Sequence, residues 1–221
     1  MTEAVQKIVI ADTETTGFNA DLDRIVEIGC VILYGRDWEG EHYQWYLNPC
    51  RHVGTSVKVH GLTDDFLSDK PKFDEKCEEF LNVVKGSKLV MHNSSFDESF
   101  FNSELSRCGL GKITDYCDVV DTLAMAREQF PMQKNSLDAL CNRFGVDNQH
   151  RSFHGALKDS LLLLHVYLGL TRHQKKLDIL EHSSKIQTET YETLDFLAEK
   201  TIPLNNIEKQ YHEEFIRNIL K

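Results

Sequence analysis

The chain has 221 residues, 41% of them hydrophobic, enough to bury the core of one ordinary globular domain with residues left over for an appendage. Its 35 acidic against 25 basic residues give a formal net charge of −10, which excludes the broad phosphate-neutralising surface that a sequence-specific DNA binder carries. Six cysteines without a CxxC pair argue against a zinc site and a disulfide framework. No apolar run reaches the roughly 18 residues of a membrane span, and MTEAVQKIVI lacks a leader pattern, so a cytoplasmic location with reduced, mostly core thiols is expected.

In chain order, residues 7–13 (KIVIADT) and 24–34 (RIVEIGCVILY) are β-branched and apolar, which predicts two buried strands. Polar and aromatic residues alternate over 41–48 (EHYQWYLN) until Pro49 stops the run, predicting a third strand in an antiparallel meander. An amphipathic helix is expected over 73–85, a short strand over 87–92, a helix over 95–107 and a strand over 117–121. Helices around 122–129, 136–144 and 155–169 complete the set. Three hairpin strands followed by alternating units imply an α/β fold, a mixed sheet flanked by helices, over residues 1–170. Residues 171–189 are strongly polar and read as a linker. In the remaining tail, 190–221, an apolar stripe returns at Ile207, Tyr211, Phe215, Ile216 and Ile219, as on a docking helix.

Three short segments carry chemistry. Asp12 and Glu14 stand two apart at the end of the first strand, so both carboxylates leave the same face of an apolar element. At about 4 Å and an effective dielectric near 20 they repel by roughly 4 kcal/mol, so one must protonate or a cation must bind between them. In HNSSFD, a strand runs into a helix whose first turn holds Asp97. In HGALKD, His154 and Asp159 would lie roughly 140° apart if both were helical, so His154 belongs to the entering loop, from which its imidazole can lean over a site that Asp159 points into. His165, among leucines, reads as a packed core histidine. Each segment alone has a plain explanation: a solvated turn, a helix cap, a structural His–Asp pair. Together, carboxylates without cysteine partners suit Mg²⁺ or Mn²⁺, and two such ions are a known device for phosphodiester hydrolysis.

DTETTG, HNSSFD and HGALKD resemble the three motifs of the DEDDh family of 3′→5′ exonucleases, on a ribonuclease-H-like fold. RIVEIG, VHGLTDDFL and NSLDALCNRFG are similar to the intervening segments of the epsilon proofreading subunits of bacterial DNA polymerase III, so the resemblance spans residues 5–170. It implies removal of mismatched 3′-terminal nucleotides as nucleoside 5′-monophosphates, with two ions per active site. Asp12, Glu14 and Asp159 would hold the first ion, Asp12 would bridge to the second, and Asp97 would support the second through water. His154 would take the proton of the attacking water, and Thr15, Val59 and His60 would line the terminal-nucleotide pocket. The implied partners are a DNA 3′ end and, through the segment from Asn206 onward, the polymerase catalytic (alpha) subunit. Gln174, Leu177 and Ile179, within 174–179, keep a spacing loosely like a sliding-clamp-binding peptide. Two other readings stand beside this one: a free-standing DEDDh exonuclease trimming RNA or single-stranded DNA 3′ ends, and a non-enzymatic module that keeps the fold to position a partner.

Overall fold

A computed structural model describes residues 5–148 and 154–172. The strands are β1 (Lys7–Thr15), β2 (Ile25–Tyr34), β3 (His42–Tyr46), β4 (Lys88–Met91) and β5 (Asp118–Asp121). They form one mixed sheet in the order β3-β2-β1-β4-β5. The first three make the expected antiparallel meander, while β4 and β5 run parallel to β1 and each other. Parallel strands need crossovers, and helices α3 (Phe73–Val84) and α4 (Ser94–Arg107) fall where the chain makes them. Helices α5 (Thr122–Gln129), α6 (Leu137–Phe144) and α7 (Ala156–Leu170) follow. Two four-residue helices, α1 (Val57–His60) and α2 (Asp64–Leu67), are additions to the sequence-based expectation.

Strand alternation along β1 decides what each face meets. Val9 and Ala11 join Ile28, Cys30 and Ile32 in a core closed by Phe80 of α3 and by Phe100, Phe101 and Leu105 of α4. Phe80 and Phe101 stack there at 4.7 Å. Ile8 and Ile10 join Val31 and Leu33 in a second core, closed by Leu140 of α6 and by Leu162, Leu163, Val166 and Leu170 of α7. Both faces are therefore covered, which is why the strands read as nearly unbroken apolar runs. His165 departs from expectation: it is exposed, because the buried stripe of α7 runs through Leu162, Leu163, Val166 and Leu170 and position 165 turns away from it.

Four of the six cysteines are buried and all six are free thiols. Among the described residues no helix is long and apolar enough to cross a membrane. The linker beyond Arg172, the segment 174–179 and the tail 190–221 lie outside the described residues.

Candidate active site

The alternation that builds two cores also brings carboxylates from two faces to one end of β1. Asp12 and Glu14 continue the Ile8–Ile10 side, toward α7, whereas Thr13 continues the Val9–Ala11 side, toward α4. This is where the parallel strands β1, β4 and β5 end, the usual place for a site on an open α/β sheet.

Glu14, His154 and Asp159 come together there. One ligand atom from each lies within 4.8 Å of the others, the spacing of a shared cation, and both carboxylates are buried. His154 stands ahead of α7, as the angular argument requires, with Nδ1 3.3 Å from Asp159 Oδ2. Its backbone N–H donates to the Val59 carbonyl at 3.0 Å, which fixes the loop against α1. Asp12 is half-buried on the same face of β1 but is not among those three converging groups.

The helix α7 can approach this closely because β2 has no side chain beneath it. Gly29 pairs with Asp12, and a Cβ there would stand 2.2–2.4 Å from backbone atoms of Ala156 and Leu157. The buried Ser160 hydroxyl also donates to the Gly29 carbonyl at 3.0 Å. Helix and strand thus meet backbone to backbone at Ala156 and Leu157, two to three residues before Asp159.

Asp97 is placed differently. It is 3% exposed in the first turn of α4 and accepts a 2.6 Å hydrogen bond from Thr13 Oγ1, so it is tied to the other side of β1 from Glu14. Burial pushes its carboxyl up to about 7, against the Thr13 hydroxyl that favours the charge, with Asp121 adding a further push upward. Asn93, which opens α4, has φ 66°, a left-handed conformation that Asn tolerates, and its N–H donates to Asp121 Oδ1 at 2.9 Å. Farther along α4, the buried Glu104 accepts from Arg24 Nε at 2.7 Å and from a second guanidinium nitrogen at 2.8 Å, binding the helix to the start of β2.

Because Asp97 ordinarily titrates near 4 and here near 7, folding holds its proton, and stability falls as pH rises between those values. Asp97→Asn is therefore expected to melt higher than the unchanged chain at pH 8 in chelator, by on the order of a few kcal/mol, and equally at pH 4. Thermal melts across this range check it; a gap that does not grow with pH would contradict the assignment.

The residues expected to line a nucleotide pocket differ among themselves. The Thr15 hydroxyl donates to the Gly17 carbonyl at 2.6 Å, a local turn bond. Val59 is exposed on α1 and holds His154 through its carbonyl. His60 is buried; Leu62 N–H donates to its Nδ1 at 3.0 Å, which leaves the ring proton on Nε2, an atom closed off from solvent. Burial lowers the tendency of this imidazole to ionise, opposed in part by the Thr15 backbone, so it stays neutral with Nε2–H as a donor. Sequence reasoning missed Thr13, Gly29 and Glu27. The signal for Glu27 was present, an acid within the apolar run RIVEIG.

The exonuclease (RNase T) family matches residues 9–167. The chain is 37% identical to the DNA polymerase III subunit epsilon of Buchnera aphidicola subsp. Schizaphis graminum, over 96% of each chain. It is 38% identical to the subunit of that name from Haemophilus influenzae, over 96% of this chain and 90% of that one. Among solved structures, Exonuclease X in complex with 5′ overhanging duplex DNA superposes with a TM-score of 0.61 at 23% identity, over 76% of this chain and 93% of that one, a likeness of fold.

Proposed function

The chain belongs to the exonuclease family and groups with the DNA polymerase III epsilon subunits, and on that footing we propose that it is the proofreading 3′→5′ exonuclease of a replicative polymerase, removing mismatched 3′-terminal nucleotides as nucleoside 5′-monophosphates. The observation that carries this reading is the convergence of Glu14, His154 and Asp159 within 4.8 Å where the parallel strands end, with Asp12 on the same face of β1 as Glu14.

The donor set fits hard divalent cations, Mg²⁺ or Mn²⁺ in a pair, because it is mostly carboxylate oxygen and contains no thiolate. Bound there, the ions supply Lewis acidity and neutralise charge on the phosphodiester. Asp12, Glu14 and Asp159 would hold the first, and Asp97 would support the second from the α4 side. His154 takes the proton from the attacking water, a task suited to an imidazole whose ordinary pKa is near neutrality. His60, Val59 and Thr15 are assigned to the wall of the terminal-nucleotide pocket, with the His60 ring buried behind it. Phe18, 91% exposed and packed against Phe96 at 6.4 Å, offers a ring face on which an unpaired base can stack. Such a site grips a frayed end locally, which suits a chain of net charge −10.

Association with the polymerase alpha subunit is assigned to the tail 190–221, on the strength of its apolar stripe, with 171–189 as leash. The clamp contact through 174–179 rests on a loose spacing alone, and the working location is the cytoplasm. Deleting residues 190–221 is expected to leave removal of 3′ nucleotides from short single strands unchanged and to abolish co-purification with the polymerase. Loss of hydrolysis with a large fall in Tm would place the tail in the catalytic domain and overturn its assignment.

A further inference from the structure

Glu27 is a deeply buried carboxylate that the chemistry above leaves unused. It pairs directly with Glu14 across β1 and β2, and with Tyr46 across β2 and β3, so Glu14, Glu27 and Tyr46 form one row of side chains on the α7 face. It is 2% exposed. Two like charges in adjacent places of one row repel, and an apolar residue would fill the position at less cost. A carboxylate there needs a reason.

Its surroundings supply one. Gln44 Nε2 donates to Glu27 Oε1 at 2.8 Å and lies 2.7 Å from the Tyr46 hydroxyl, which fixes the carboxylate from the β3 side. The other oxygen, Oε2, faces the loop ahead of α7, where it would stand 3.9 Å from a Cβ on residue 155. Gly155 is the N-cap of α7 and provides no side-chain cap, so the first turn of that helix presents its partial positive charge toward this region. The same loop is also held by the His154 N–H bond to the Val59 carbonyl.

We propose that Glu27 is a positioning residue that holds the His154–Gly155 loop at the N-terminus of α7 and so fixes the imidazole over the site. This role rests on His154 being the general base. In the structure the His154 ring leans on Asp159, at 3.3 Å. Asp159 can hold the ring only as far as the loop backbone lets the imidazole reach it, and that backbone is bonded to the Val59 carbonyl and lies beside Glu27 Oε2. Glutamine at position 27 would have to present its amide oxygen to Gln44 and its NH₂ to the loop and helix end, reversing the polarity where it matters.

The test is a double-mutant cycle on the full-length chain, with hydrolysis of a single-stranded DNA read at saturating Mn²⁺. Glu27→Gln should lower kcat by about 10–100-fold with KM little changed, the size usual for residues that orient a reacting group. His154→Ala alone should lower kcat by about 10²–10⁴-fold. In the His154→Ala background, Glu27→Gln should cost nothing further, because it acts through the missing imidazole. Gln44→Ala, at an exposed position, should reproduce part of the loss with the same dependence on His154, and keeps the test open if Glu27→Gln does not fold. Equal losses in both backgrounds, a raised half-saturating Mn²⁺ concentration, or wild-type kcat in Glu27→Gln would each overturn the proposal. A silent His154→Ala would show instead that the general-base assignment is at fault.

Discussion

Glu14→Ala and Asp159→Ala are each expected to abolish hydrolysis and, in the same step, to remove the rise in Tm that Mg²⁺ or Mn²⁺ gives the unchanged chain. Both effects follow from one cause. The two carboxylates are buried within 4.8 Å of each other and of His154, an arrangement that stores repulsion until a cation enters. An ion that binds the folded chain alone stabilises it by about 2.7 kcal/mol at one hundred times its Kd, or about 5–10 °C in Tm for a domain of this size. Without metal, the two variants should melt at least as high as the parent, since each removes a charge from a crowded site. Asp12→Ala is expected to behave like them, because Asp12 leaves the same face of β1 as Glu14 and is proposed to hold the same ion. Paired melts with and without chelator, alongside rates, separate this from simple misfolding. Full hydrolysis in excess chelator would remove the basis for the metal assignment.

Gly29→Ala should be the most damaging substitution of a residue that carries no functional group. Its added Cβ would stand 2.2 Å from the Leu157 nitrogen and 2.3 Å from the Ala156 carbonyl carbon, and backbone cannot step aside as a long side chain can. Helix α7 must lift, carrying Asp159 away from Glu14 and weakening the Ser160 bond to the Gly29 carbonyl. Overpacking of this kind costs about 1–3 kcal/mol. A misplacement of about 1 Å in a reacting geometry costs on the order of 10²-fold in rate. The variant should therefore show kcat lowered at least 100-fold even at temperatures where it is folded, and should need more metal for half-maximal activity. Gly86→Ala would be a poor control because Gly86 has φ 70°. Wild-type turnover in folded Gly29→Ala would show that α7 is not seated as described.

Much of this was legible in the sequence, for identifiable reasons. Strands β1 and β2 announce themselves because burial on both faces demands β-branched residues throughout, and α7 because a leucine run follows Asp159. The loop position of His154 followed from helix geometry alone. What stayed hidden depends on pairing between distant segments. Glu27 sits within an apolar run, and only the strand register shows it opposite Glu14. The role of Gly29 requires knowing which helix lies over it. Asp97 was grouped with the other carboxylates, yet it reaches β1 through Thr13, a side chain on the opposite face, because α4 and α7 pack on different sides of the sheet. Helices α1 and α2, at four residues each, are too short to show periodicity. His165 was misread because a leucine-rich helix still keeps one face for solvent.

The proposed function of this chain is the editing of DNA 3′ ends by metal-dependent hydrolysis. The most direct measurement is the rate at which the purified chain releases the terminal nucleotide from three primers, one paired, one mispaired and one ending in RNA, each with Mg²⁺ and with excess chelator. The expected result is nucleoside 5′-monophosphate from the 3′ end only, faster from the mispaired DNA end than from the paired one because a frayed end reaches the site, and no release in chelator. Equal rates on paired and mispaired DNA, a preference for the RNA end, or release that survives chelation would contradict it.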